Sequence, residues 1–130
     1  MPLRPIAILV CLIAASASSV ALAASVKAGG TYSSQGTLEF AEVAKNGKTA
    51  KLTVNPGSCG GGLPMTAVKS ATIRGKTIKY TGLAKTVIGT SGMISLTGTF
   101  TNAKTLKWVA KITLGACHST GKTTLTLSLH

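Results

Sequence analysis

Ala116 to Thr123, within the stretch ACHSTGKTTLTLSLH, spell A-x-x-x-x-G-K-T, a spacing that loose forms of the phosphate-binding Walker A loop tolerate. The chemistry needs more than the letters. Such a loop follows a strand and opens a helix, whose first N–H groups and dipole hold the phosphates while Lys and Ser/Thr address the terminal phosphate and Mg2+. An apolar strand-like run does precede Ala116, but Thr123 to His130 alternate Thr and Ser with Leu, the pattern of a closing strand. The sequence contains no Asp for the usual second metal contact. No nucleotide is expected as a ligand, and Ser119 to Lys122 are expected to form a hairpin turn.

Other reactive groups are few. Glu39 and Glu42 are the only acids, and in a strand running through both they point to opposite faces, which disfavours paired-carboxylate catalysis. His118 and His130 lack a G-x-S-x-G nucleophile elbow, and His130 is the last residue. His118 beside Cys117 suggests Cys-His chemistry or a metal, yet two His and two Cys at these separations form no recognised zinc pattern. The expectation is no catalytic residue, no metal, no cofactor and no enzymatic activity, with a small hydrolase as the remotest reading.

The elements that would carry these residues are strands. Apolar positions alternate at Leu38 and Phe40, at Ala50, Leu52 and Val54, and at Ile94, Leu96 and Phe100. They continue from Leu106 through Trp108, Ala110 and Ile112 to Leu114, and again at Leu125, Leu127 and Leu129. Each set is expected to face one core. Turn signals fall at Asn46-Gly47, Pro56 to Gly62, Arg74-Gly75, Ser91-Gly92 and Thr101 to Lys104. The fold class is therefore all-β, a small antiparallel sandwich or closed barrel of about seven to eight strands. Ala50 to Val54 return in type as Ala110 to Leu114, either a duplicated strand unit or the inexpensive coincidence of two Thr-aliphatic strands.

The first residues order a basic Arg4, an apolar stretch from Ile6 to Ala15 and a closing Ala21-Leu22-Ala23, the layout of a secretory signal helix. Residues 1–23 are expected to be removed and 24–130 to form one secreted or periplasmic domain, an uncleaved membrane anchor being the alternative. Cys11 leaves with the signal, so Cys59 and Cys117 pair as one disulfide in an oxidising compartment. Basic residues outnumber acids 14 to 2, a net charge of +12. With the aliphatic residues inward, Lys51, Lys79, Lys107 and Lys111 point outward and, with Arg74 and Lys76, are candidates for a cationic, anion-binding face. The competing role of these lysines is solubility and protection of strand edges.

GGTYSSQGTLEFAEVAKNGKTAKLTV, a first cysteine in a Gly-rich loop, GMISLTGTF and a second cysteine before the closing strand resemble a group of small bacterial secreted β-domains. The resemblance implies an exported, disulfide-bonded β-domain and carries no activity with it. The chain departs from that pattern in its lysine content and in Asn46 standing where Asp is usual. The functional expectation is a non-enzymatic domain associating with an anionic polymer or lipid surface, or alternatively a structural or interaction module using its cysteine-bearing loops. Specific nucleic-acid binding is not expected, because Arg74 is the one arginine after residue 23 and the aromatics Trp108, Phe40 and Phe100 are assigned to the core.

Overall fold

A computed structural model describes residues 26–34, 36–59 and 63–128. The expected signal segment, residues 1–23 with Cys11, lies outside the described residues, as do Leu129 and His130. Alternation of β-branched Thr and Lys with aliphatic residues gives β1 (Thr31–Ser33), β2 (Phe40–Val43), β3 (Thr49–Val54), β4 (Met65–Ala67) and β5 (Ala71–Arg74). The longer strands follow: β6 (Thr77–Thr86), β7 (Ser91–Asn102), β8 (Thr105–Leu114) and β9 (Cys117–Ser128). Among the described residues there is no α-helix, only a 3-10 turn at Gly57–Cys59.

Every neighbouring pair is antiparallel, and pairing of β1 with both β2 and β9 closes the sheet into a barrel of eight strands. The extra strand, β5, continues the line of β4. Both pair with β3 and β6, and they are separated by a break at Val68–Ser70. Tyr80 lies under that break, its hydroxyl donating to the Leu83 carbonyl at 2.6 Å and accepting the Lys69 N–H at 3.4 Å. Outside Cys117–Leu125 of β9, closure pairs the strand edges that an open sheet would expose.

An eight-stranded barrel encloses just the volume its inward side chains fill. Here these include Leu52, Met65, Ile78, Ile94, Leu96, Phe100, Leu106, Trp108 and Leu125, all buried. Tyr32 meets Phe100 edge to face at 5.1 Å. Gly98 faces inward where Ile78 and Trp108 converge: a methyl group there would lie 2.8 Å from Ile78 Cγ2 and 3.0 Å from Trp108 Cβ. Gly98→Ala is therefore expected to destabilise by about 1–3 kcal/mol. Gly121→Ala, with no atom within 4 Å of the added methyl, is expected to be neutral or slightly stabilising. Urea denaturation of the two variants checks the contrast.

Three expectations are corrected. Ser91-Gly92 does not turn the chain: Gly92 sits in β7, where a Cβ would lie 2.7 Å from the Thr113 carbonyl oxygen, and the turn falls earlier, at Val87–Gly89. Ser119 to Lys122 are likewise strand, inside β9, and the hairpin turns at Gly115, whose φ is +61°. Leu38 and Phe40 point outward, 54% and 37% exposed, while the inward positions of that segment are Glu39, Ala41 and Val43. A one-residue change of phase reverses every side chain of a strand.

Candidate functional site

With Gly121 extended in β9, opposite Ala110, the apparent phosphate loop has neither loop nor following helix. Lys122 points outward across from Val109, and the Thr123 hydroxyl is turned inward to Glu39. His118 is exposed and meets only the Thr113 hydroxyl, at 3.3 Å from Nδ1. Among the described residues no three His, Cys, Asp or Glu side chains group to hold a metal.

Glu39 is the polar feature that residue types alone did not place. It is 5% exposed, and it accepts the Trp108 indole N–H at 3.1 Å and the Thr123 hydroxyl at 2.6 Å. Leu38, just before it, holds a φ of +56°, a left-handed conformation that costs a non-glycine residue roughly 1–2 kcal/mol. The cost is compensated by a position the barrel needs. β1 pairs with β9 only at Thr126–Ser128, so among the described residues Cys117–Leu125 have β8 as their sole strand neighbour. Glu39 bridges that gap from one side. Farther along, the Cys59–Cys117 disulfide fastens the β3–β4 loop to the first residue of β9, and Asn55 Nδ2 donates to the Thr37 carbonyl at 3.0 Å. The expected disulfide is thus present and spans the incompletely paired side of the barrel.

The outward side chains supply the charge. Along the wall from β5 to β9, successive cross-strand rows read Arg74, Thr77, Thr99, Lys107 and then Lys79, Thr97, Val109, Lys122. Lys111 belongs to the next row, facing Ser95 on one side and Thr120 on the other. Cations therefore line both sides of an uncharged strip on β7 that presents Ser95, Thr97 and Thr99. Two strand spacings, about 10 Å, separate Lys79 on β6 from Lys107 and Lys111 on β8, and three, about 14 Å, separate Arg74 from Lys107 and Lys79 from Lys122. Of the six basic residues proposed from sequence, Arg74, Lys79, Lys107 and Lys111 share this wall, and Lys76 sits in the turn at its foot. Lys51 stands apart: it lies on β3, directly opposite β8 around the ring, and its cross-strand neighbour is Glu42.

The topology also assembles cations that sequence reasoning missed. In an up-and-down barrel alternate turns lie at the same end. The β2–β3 turn carries Lys45 and Lys48, the end of β5 and the turn after it Arg74 and Lys76, and the β7–β8 turn Lys104, all exposed. Main-chain bonds join these turns into one rim: Ile73 N–H to the Lys48 carbonyl at 2.9 Å, Phe100 N–H to Lys76 at 2.8 Å, and Leu127 N–H to Lys104 at 2.8 Å. Lys27 joins them, because the buried Tyr32 hydroxyl accepts the Lys27 N–H at 3.1 Å and donates to the Ala103 carbonyl at 2.6 Å. The described turns at the other end hold no Lys or Arg, the nearest being Lys85, exposed one residue before the end of β6; their exposed side chains include Leu38, Val87 and Ile88. Comparison of the chain with protein-family models, with curated proteins and with solved structures finds no match.

Proposed function

We propose that this is a non-enzymatic, exported β-domain that binds an anionic polymer along its outer wall. The observation that carries the reading is the hydroxyl strip of β7 held between cations at Arg74 and Lys79 on one side and Lys107, Lys111 and Lys122 on the other. A linear polyanion laid along β7 meets positive charge on both flanks and hydroxyl hydrogen-bonding groups beneath it. Exposed charges at this spacing act through a field that salt screens within about 10 Å at 0.1 M ionic strength. Retention on immobilised heparin is therefore expected at low salt and is expected to vanish as salt rises. Charge reversal at Lys79, Lys107 and Lys111 lowers the eluting salt sharply, whereas Lys51→Glu, on the far side of the barrel, has a much smaller effect. Passage of the unaltered protein through the column at low salt overturns the reading.

A second reading, an interaction module using its cysteine-bearing segments, is supported by one observation. The disulfide brings the β3–β4 loop and the start of β9 together at the uncharged end. Export and signal removal fit the disulfide, and the mass of the protein recovered from culture medium or periplasm tests both.

A further inference from the structure

The distribution of charge along the barrel axis points to a second surface. Six exposed cations, Lys27, Lys45, Lys48, Arg74, Lys76 and Lys104, ring one end beside one exposed acid, Glu42, while near the opposite end Lys85 is the one exposed Lys or Arg among the described strand ends and turns and Glu39 is buried. The rim is held together by main-chain bonds between neighbouring turns and by the buried Tyr32 hydroxyl, so its charges are presented together from one side of the molecule. We infer that this barrel end docks on an anionic lipid bilayer, with the strands standing away from the membrane.

Three features favour a bilayer over a strand-like polymer at this surface. The cations are spread around a ring, so a linear chain can follow only part of the set while a planar headgroup layer meets all of it. The asymmetry between ends makes the molecule an electric dipole, which an anionic surface orients before contact. Basic side chains near an anionic leaflet also contribute separately, so that several together give firm but salt-sensitive attachment. The two surfaces share the sign of the charge and Arg74, which stands where wall and rim meet; their other residues and their partners differ.

The test is sedimentation of the full chain with phosphatidylcholine vesicles, with and without phosphatidylglycerol. All variants share the N-terminal segment, so differences between them report on the substituted residues. Binding is expected only with phosphatidylglycerol and is expected to fall as salt rises. Lys45→Gln, Lys48→Gln and Lys104→Gln together should weaken it on the order of a hundredfold, at roughly one kcal/mol for each lysine. The same loss of charge on the wall, at Lys79, Lys111 and Lys122, should weaken it far less while lowering the salt at which the protein leaves heparin. In a Cys11→Ser background, so that the introduced thiol is the one labelled, a fluorophore attached through Asn46→Cys should be quenched by lipid-borne quencher, and one attached through Ile88→Cys should not. Equal weakening by the two triple variants, quenching at position 88 instead of 46, or absence of binding to anionic vesicles would each overturn the inference. A lowered heparin elution salt for the wall variant with vesicle binding intact separates this docking from the polymer reading.

Discussion

Glu39→Ala is expected to lower the unfolding free energy by about 2–4 kcal/mol, the loss of two hydrogen bonds to an acidic side chain in a buried site. The larger part of that cost comes from what remains. With the carboxyl group gone, the Trp108 indole N–H is left inside the barrel with no acceptor, and an unsatisfied buried donor is penalised more than a hydrogen bond is rewarded. A second substitution separates the two effects. Trp108→Phe removes the orphaned donor at the expense of some packing, so the double variant should be more stable than the sum of the single losses requires, with a coupling above roughly 1 kcal/mol. Glu39→Gln keeps one acceptor oxygen and should fall between wild type and alanine. Urea midpoints at constant m-value measure all four proteins. An alanine variant within about 0.5 kcal/mol of wild type would show that the inward carboxyl group does not hold this side of the barrel.

The same residue shows where sequence reasoning succeeds and where it stops. Because Glu39 and Glu42 are three positions apart, a strand through both must turn one of them inward, and the types of Leu38 and Phe40 favoured the wrong phase. The deciding signal lay on another strand: a Trp buried in an all-β core needs an acceptor for its N–H, and few side chains in this sequence can supply one. Alternation elsewhere was readable because the inward residues of β3, β7 and β8 are uniformly apolar or small. Glycine was harder to interpret, since Gly92 and Gly121 are turn residues by type yet strand residues in fact. Gly92 is there because Thr113 and Met65 come too close for a side chain. The cationic end was invisible residue by residue because Lys27, Lys48, Arg74 and Lys104 are far apart in sequence. A regularity in the hairpin turns nevertheless foreshadowed it: the segments AKNGK, RGK and NAK carry charges, whereas the hairpin turns VIG and GA carry none and Lys69 lies in the break between β4 and β5. Only barrel closure converts that alternation into two chemically different ends.

Removal of the disulfide by Cys59→Ser with Cys117→Ser should cost more than any single surface change, about 4 kcal/mol for a crosslink of residues 58 positions apart. In a domain whose whole stability is of order 5–15 kcal/mol, that shifts the midpoint of unfolding far. Its location adds a more specific expectation than the chain-entropy figure. From Cys117 to Leu125 strand β9 is held laterally by β8 alone, so the crosslink and the Glu39 hydrogen bonds close the same opening. Loss of the crosslink should therefore release that side first. Amide hydrogen exchange is expected to accelerate most in residues 36–39, 55–59 and 117–123, while the β6–β7–β8 ladder keeps protection near the new global limit. For the same reason the disulfide and Glu39 substitutions should not be additive: once either closure is gone, the other holds less, and the combined loss should be smaller than the sum. Uniform acceleration along all nine strands, together with strict additivity, would mean that the crosslink acts only on the unfolded chain and that the gap beside β9 is closed by other contacts.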